Sequence, residues 1–340
     1  MFALKRVTAF SVLGLLLCGG LFAQNGILDT YFDGDELNRR VRNYTINVSN
    51  LIPDSTTLSN VWSAPPSATF MYGIGINGSI TLLDRRKVST LIDTVAGFGG
   101  SSHVDLSQFP EAIPFLPGAA FDVRGGFAGF DVGLCGMWVD SATLSEDLGT
   151  SFLGDGSNFS YRSFGFDLRT VLIRERSTKI LFNLVTIPST VALFLPTVTF
   201  QAGYYFTWFG FGIESGNEKV HADFRNDSYL FALQASYGFL PIITPYFGMK
   251  LIFSKTDSGF TWETDRPVMV SGGPNPDNMY PDGARYTSGG VDGDTFAYFQ
   301  LYGGLGLSIS YPHLVTLGFV YNVGTEHFGI NLGVRYIMGN

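Results

Sequence analysis

Residues 71–80, MYGIGINGSI, contain Gly73-Ile74-Gly75-Ile76-Asn77-Gly78, the G-x-G-x-x-G spacing with which a glycine turn admits a pyrophosphate. Asp93 stands twenty residues beyond Gly73, near the place of the acid that binds a ribose hydroxyl in such sites. That chemistry needs a helix opening at the last glycine, its N-terminus aimed at the phosphates. Here Met71, Gly73, Gly75 and Asn77 alternate with Tyr72, Ile74, Ile76 and Gly78, and Ser-Ile-Thr-Leu-Leu follows. Period two is the mark of a strand. Glycines on one strand face serve close approach or curvature, so no dinucleotide site is expected.

The remaining residues with catalytic chemistry are dispersed. His103, His221, His313 and His327 sit in no H-E-x-x-H and beside no G-x-S-x-G. His221-Ala222-Asp223 is the one pair that invites inspection, and a solvated histidine in an external loop is its plainer reading. No catalytic residue is assigned and no enzyme is expected. The stretch 257–294 carries seven acids (Asp257, Glu263, Asp265, Asp277, Asp282, Asp292, Asp294) against Arg266 and Arg285. The twelve-residue ligand spacing of an EF-hand is absent, so a solvated surface loop is expected, with no metal and no cofactor.

Charges placed on strand faces are more informative. Asp122, Arg124, Asp131, Asp167, Arg169, Lys250 and Arg335, with the polar Gln300, all fall opposite the apolar positions of their segments. In SFGFDLRTVL, Phe164, Phe166, Leu168 and Leu172 share one face, and Gly165, Asp167 and Arg169 the other. TPYFGMKLIFS sets Phe247, Met249, Leu251 and Phe253 against Gly248, Lys250 and Ser254. TFAYFQLYGGLGLSIS sets Phe299, Leu301, Leu305, Leu307 and Ile309 against Gln300, Gly304, Gly306 and Ser308. An Arg or Lys facing lipid near the bilayer midplane costs roughly 2–4 kcal/mol. If the apolar faces meet lipid, these charges line a lumen, either as the wall of an aqueous pore or as mutually neutralising groups in a filled one.

Several features place the apolar faces in a membrane. The N-terminus, MFALKRVTAFSVLGLLLCGGLFAQN, has a basic start (Lys5, Arg6), an apolar run to about Leu17 and a small-residue exit. That is the layout of a secretory signal peptide, with cleavage expected after Ala23; a lipoprotein signal ending at Cys18 is the alternative. Cleavage leaves only Cys135, hence no internal disulfide, and 19 basic against 29 acidic residues, which argues against nucleic acid. Glycine accounts for 42 of 340 residues, nearly twice the usual share of about 7%, while aromatics are 15% and charges 15%. A helical membrane protein is the competitor, since no charge falls between Ile180 and Ile213. Pro188 and Pro196 interrupt that window, and TVTFQAGYYF within it alternates as a strand does.

Together these describe an all-β chain: a transmembrane antiparallel up-and-down β-barrel of about fourteen strands, with twelve as the alternative. Segments 1–23, 24–67 and 68–340 are read as signal peptide, N-terminal segment and barrel. In 24–67, YTINVS supplies a first strand, or Leu37, Val41, Tyr44 and Val48 stripe a short helix that plugs the lumen. Counting back from the last strand, 327–338, the partner is 313–323, with a tight turn at Tyr311-Pro312 before it. Further back come 295–310, an external loop 257–294, strand 243–256, a turn at Leu240-Pro241, strand 228–239 and an external loop 215–227. A turn near Thr207 splits 197–214, and Tyr204, Tyr205, Phe206, Trp208 and Phe209 form an aromatic girdle beside it. Segments 140–158 and 101–117 fall outside.

The C-terminus reads Asn331-Leu332-Gly333-Val334-Arg335-Tyr336-Ile337-Met338 before Gly339-Asn340. This resembles the β-signal of outer-membrane barrels: polar, any, Gly, any two, hydrophobic, any, hydrophobic. The departure is that the chain does not end on Phe. The resemblance implies that Asn331, Gly333, Tyr336 and Met338 are read by the barrel-insertion machinery, after escort by periplasmic chaperones, in the outer membrane of a diderm bacterium. Strand number and layout also resemble the long-chain fatty-acid transporter family, without its Asn-Pro-Ala start. Expected partners are outer-membrane lipids and that machinery. Passive passage of small solutes is the first functional expectation. Uptake of hydrophobic molecules and a closed barrel acting as an adhesin or structural protein are the alternatives. A polar continuous bore favours the first, a plug with a lateral gap the second, and a filled bore the third.

Overall fold

The computed structural model describes residues 69–84, 112–140, 157–181, 184–215, 218–238, 242–264, 268–269, 279–280, 285–287, 295–310, 312–324 and 326–339. The expected signal peptide, the N-terminal segment expected to supply a strand or plug, Asp93, His103 and most of the acidic stretch lie outside these. Ten long strands follow one another in the chain: β1 (Met71–Asp84), β2 (Ala112–Phe127), β3 (Phe130–Asp140), β4 (Ser157–Ile173), β5 (Thr197–Ser215), β6 (Glu218–Ser236), β7 (Ile243–Thr264), β8 (Thr295–Ser310), β9 (His313–Asn322) and β10 (His327–Gly339). Each pairs antiparallel with the next, and β10 pairs with β1 from Met71↔Gly339 to Leu82↔Phe328. The sheet is a closed up-and-down barrel. Closure removes the unpaired edges that no strand could leave in lipid.

The two faces of this sheet differ as the alternation requires. Outward stand Ile74 and Ile76, Phe121 and Val123, Val132 and Leu134, Phe164 and Phe166, Phe231 and Leu233, Met249 and Leu251, Leu305 and Leu307, Leu317 and Phe319, and Leu332 and Val334, all exposed. The band is continuous round the barrel, which is what a surface solvated by acyl chains looks like. Inward stand Asn77, Asp122, Arg124, Asp131, Asp167, Arg169, Lys250, Gln300 and Arg335, all buried. The inward face is not wholly polar. Leu230, Ala232 and Ile252 form a small apolar cluster with Tyr205 inside the wall.

Ten strands replace the expected fourteen, and the difference lies in lengths. Residues 197–215 run as one strand of 19, with no turn at Thr207, which sits buried in mid-strand. Residues 215–227 are not a loop: β6 starts at Glu218 and continues for 19 residues. The stretch after 257 remains in β7 as far as Thr264, making a strand of 22, and Arg285–Thr287 pairs back onto it. Likewise 112–117 belongs to β2 rather than to an external segment. At about 3.3 Å per residue, β5–β7 reach about 60 Å or more, far beyond an apolar band about 25 Å tall. They form a wall standing clear of the belt on one side of the barrel.

The turns on the C-terminal end of the barrel are short except one. Between β4 and β5 the chain makes a hairpin, Lys179–Ile180 with Val185–Thr186, and one helical turn, Ser189–Ala192. Leu184 and Phe194 stand exposed there. The β2–β3 turn has two residues: Phe127 pairs with Phe130, and Ala128 and Gly129 adopt φ of 55° and 84°. Two consecutive positive φ values are what a two-residue type I′ hairpin turn demands. Gly meets that demand without strain, whereas Ala pays roughly 1–2 kcal/mol for a left-handed backbone. Ala128→Gly is expected to raise barrel stability by about 1 kcal/mol, read as a higher urea midpoint of reversible unfolding from lipid vesicles.

Candidate functional site

The inward charges meet across glycines. In the register, Gly133 of β3 lies between Arg124 of β2 and Asp167 of β4. A Cβ at Gly133 would overlap the Arg124 guanidinium and come 3.0 Å from Asp167 Oδ2. Its absence lets Arg124 Nη2 donate to both Asp167 oxygens, at 2.7 and 2.8 Å, one strand beyond its own neighbour. Gly75 of β1 lies in the same way between Arg335 of β10 and Asp122 of β2. A Cβ there would sit 2.5 Å from Arg335 Cγ and 2.7 Å from Asp122 Oδ1. The pair Arg335 Nε and Asp122 Oδ2 closes over it at 3.3 Å. The second glycine of the G-x-G-x-x-G is thus a socket for an arginine.

The arrangement repeats with neutral partners. Gly333 of β10 separates Thr316 of β9 from Asn77 of β1, and Arg335 donates to both, to Thr316 Oγ1 at 2.8 Å. Gly248 of β7 separates Gln234 of β6 from Tyr302 of β8, and the Tyr302 hydroxyl donates to Gln234 Oε1 at 3.3 Å. Gly165 of β4 lies under the ring of Tyr205, whose hydroxyl reaches Asp167 at 3.3 Å.

These contacts assemble two electrically neutral clusters. In one, Arg124 joins Asp131 to Asp167, and Arg169 grips Asp131 with Nε at 3.0 Å and Nη2 at 2.6 Å. In the other, Arg335 and Asn77 both hold Asp122. Lys250 lies with its Nζ 5.1 Å from the Tyr302 ring centre. Side chains of Arg124, Arg335, Asp131, Lys250 and Gln300 are at most 2% exposed. Charges so deep are tolerable only when paired and hydrogen-bonded. At this level the inward side chains pack on one another. A barrel of about eight strands has an interior just wide enough for its own side chains, whereas 16–18 strands enclose a channel; ten lies near the filled limit.

The structure thus gathers Arg124, Asp131, Asp167 and Arg169 into one cluster and Arg335 with Asp122 into another. It sets Lys250 and Gln300 side by side as register partners. Asn331 and Gly333 face inward on β10, while Tyr336 faces outward and its hydroxyl donates to the Met338 sulfur at 3.3 Å. Sequence reading missed Asn77, Thr316, Tyr205, Gln234 and Tyr302. The signal for them was present in the same alternation, as large polar residues flanking an inward glycine on the neighbouring strand. The aromatic girdle expected at Tyr204–Phe209 divides in two: Tyr204, Phe206 and Trp208 lie on the outer face, and Tyr205 and Phe209 are buried within. His221 and Asp223 lie on the outer face of β6, in strand rather than loop, with His221 exposed. Among the described residues no group of three or more His, Cys, Asp or Glu is placed to hold a metal ion.

No family model matches the chain, and no curated protein matches it. Solved structures do. The outer membrane protease OmpT from Escherichia coli matches at 10% identity and a TM-score of 0.38, over 82% of this chain and 99% of that one. The translocator domain of autotransporter NalP from Neisseria meningitidis matches at 7% identity and 0.31, over 88% and 97%. The toluene transporter TbuX of Ralstonia pickettii matches at 8% and 0.22, over 80% and 90%. These values concern barrel architecture alone and carry nothing about activity.

Removing one partner of the network strands the others in a dry interior. Arg124→Ala is expected to cost about 3–5 kcal/mol, measured as the fall in unfolding free energy in vesicles. Gly133→Ala, which deletes no polar group, is expected to destabilise as well, because its methyl occupies the path of the Arg124 guanidinium.

Proposed function

We propose that the chain is a closed, non-conducting outer-membrane barrel that serves as an adhesin or structural protein. The burial of the inward charges is the observation that carries this reading. Passive solute passage needs a continuous aqueous path, and the inward charges of β2, β3, β4 and β10 are instead paired and buried, with Lys250 of β7 buried against the Tyr302 ring. Uptake of hydrophobic molecules through the wall needs a lateral gap, and every pair of adjacent strands keeps a ladder of matched residues. What is left for function is the surface. The wall formed by β5–β7 stands beyond the apolar belt and carries His221, Arg225, Lys255 and Asp257 outward.

The export route in this reading rests on the residue pattern before Ala23 and the β-signal resemblance at Asn331 to Met338. A signal peptide cleaved after Ala23 delivers the chain to the periplasm of a diderm bacterium, where chaperones hold it for the insertion machinery. That machinery reads Asn331, Gly333, Tyr336 and Met338 on β10, the strand whose pairing with β1 completes the ring. The C-terminal end of the barrel then faces the periplasm and the β5–β7 wall faces outward. No catalytic group and no cofactor enter this role.

Planar-bilayer recording on the refolded mature protein tests it, with heat-modifiable gel migration as the check that the barrel has formed. Wild-type protein is expected to be silent, and the double variant Arg124→Ala/Arg169→Ala to flicker as water enters around the abandoned Asp131 and Asp167. Stable unitary steps from the wild type would overturn the closed reading and restore a channel.

A further inference from the structure

A row of alternating rings and cations crosses the outer face at the upper border of the apolar belt. Trp138 of β3 is the register partner of Arg162 of β4, Arg162 of Trp208 of β5, and Trp208 of Arg225 of β6. The Arg162 guanidinium carbon lies 4.5 Å from the Trp138 ring centre and 5.1 Å from that of Trp208. Below the row the outer face is apolar, with Phe164, Phe166 and Phe206. At its level and above, the outer face of β6 and β7 becomes charged, with Arg225 and Asp257 as register partners.

The charges near this row are not equivalent. Arg225 pairs with Asp227 at 3.4 Å, and Asp227 also accepts from the Tyr204 hydroxyl. Lys255 pairs with Asp257 at 3.2 Å. Arg162, by contrast, lies against the two indoles on either side of it. Rings stacked on a guanidinium cover its faces and leave its N–H donors, which lie in the plane, pointing sideways. Such a fork matches the oxygens of a phosphate. Indole rings at the lipid–water border hold the cation at headgroup depth.

We propose that Trp138, Arg162 and Trp208 form a clamp for the phosphate of a membrane-lipid headgroup, in the leaflet on the side of the β5–β7 wall. The occupant is a lipid rather than a soluble anion because the clamp opens on the belt itself. Acyl chains hanging from a headgroup held there would run down over Phe164, Phe166 and Phe206. The site depends only on the barrel's spanning a bilayer, and it stands whether the bore is open or closed.

Native mass spectrometry of the refolded mature protein, released from phosphatidylcholine nanodiscs doped with phosphatidic acid or with diacylglycerol, tests the clamp. Wild-type protein is expected to retain phosphatidic acid in preference to diacylglycerol. Arg162→Gln should weaken that retention roughly tenfold or more, as loss of a charge-assisted fork would. Arg162→Lys should fall between, since an ammonium neither stacks on indoles nor forks. Trp138→Leu keeps the charge and removes a stacking face, and it should weaken retention with folding intact by heat-modifiable migration. Arg176→Gln, at the opposite end, should change nothing. Unaltered retention in both Arg162→Gln and Trp138→Leu would overturn the clamp. Displacement of the lipid by inorganic phosphate at equal concentration would overturn the lipid as occupant and leave a site for a free anion.

Discussion

The structure depends on keeping charge buried on the inward face of a ten-stranded ring. A ten-stranded wall has little interior volume, yet four bases and three acids project into it from β2, β3, β4, β7 and β10. Some of these charges pair on adjacent strands, as Asp131 does with Arg169, and others reach across a whole strand. Glycine on the intervening strand permits that reach, because the missing side chain becomes the space through which the flanking residues meet. Gly75 and Gly133 each hold an ion pair, Gly248 holds a neutral pair, and over Gly333 Arg335 reaches Thr316 and Asn77. At Gly75 and Gly133, glycine and buried charge are therefore one feature of the wall.

Much of this was legible in the sequence, and the reason is solvation. Lipid penalises charge on one face of a strand so strongly that Asp167 or Lys250 reveals which face is inward. The alternation through MYGIGINGSI is read as a strand by the same token, and β1 runs from Met71 to Asp84. Strand number was not legible, because sequence alternation does not say where a strand leaves the membrane. Around Thr207 bulk appears on both faces: Tyr204, Phe206 and Trp208 outward, Tyr205 and Phe209 inward. The loss of contrast resembles a turn. Residues 218–227 are polar because they stand above the belt, and polarity there resembles a loop. The pairing of particular charges was also hidden, since it depends on register between strands far apart in the chain.

Outside, the same barrel solves the opposite problem. Its belt must present nothing polar to acyl chains, and its borders must stop it from sliding along the bilayer normal. Aromatic residues fix one border, with Trp138, Trp208, Tyr204 and Tyr229 near the level where the outer face turns charged. The exposed apolar side chains of the segment between β4 and β5, Leu184 and Phe194 among them, lie toward the other.

Arg335 and Asp122 are separated by 213 positions in the chain and by one strand in space. They belong to β10 and β2, so their contact exists only once β1 lies in register with both. Until the last strand meets the first, neither group has its opposite charge, and Asp122 has only Asn77 and Arg335 only Thr316. The order of assembly is thereby constrained: dehydration of the bore is coupled to ring closure, and a half-formed sheet remains wet inside. The inward arginine of the terminal strand acts as a latch whose engagement reports that the circle is complete.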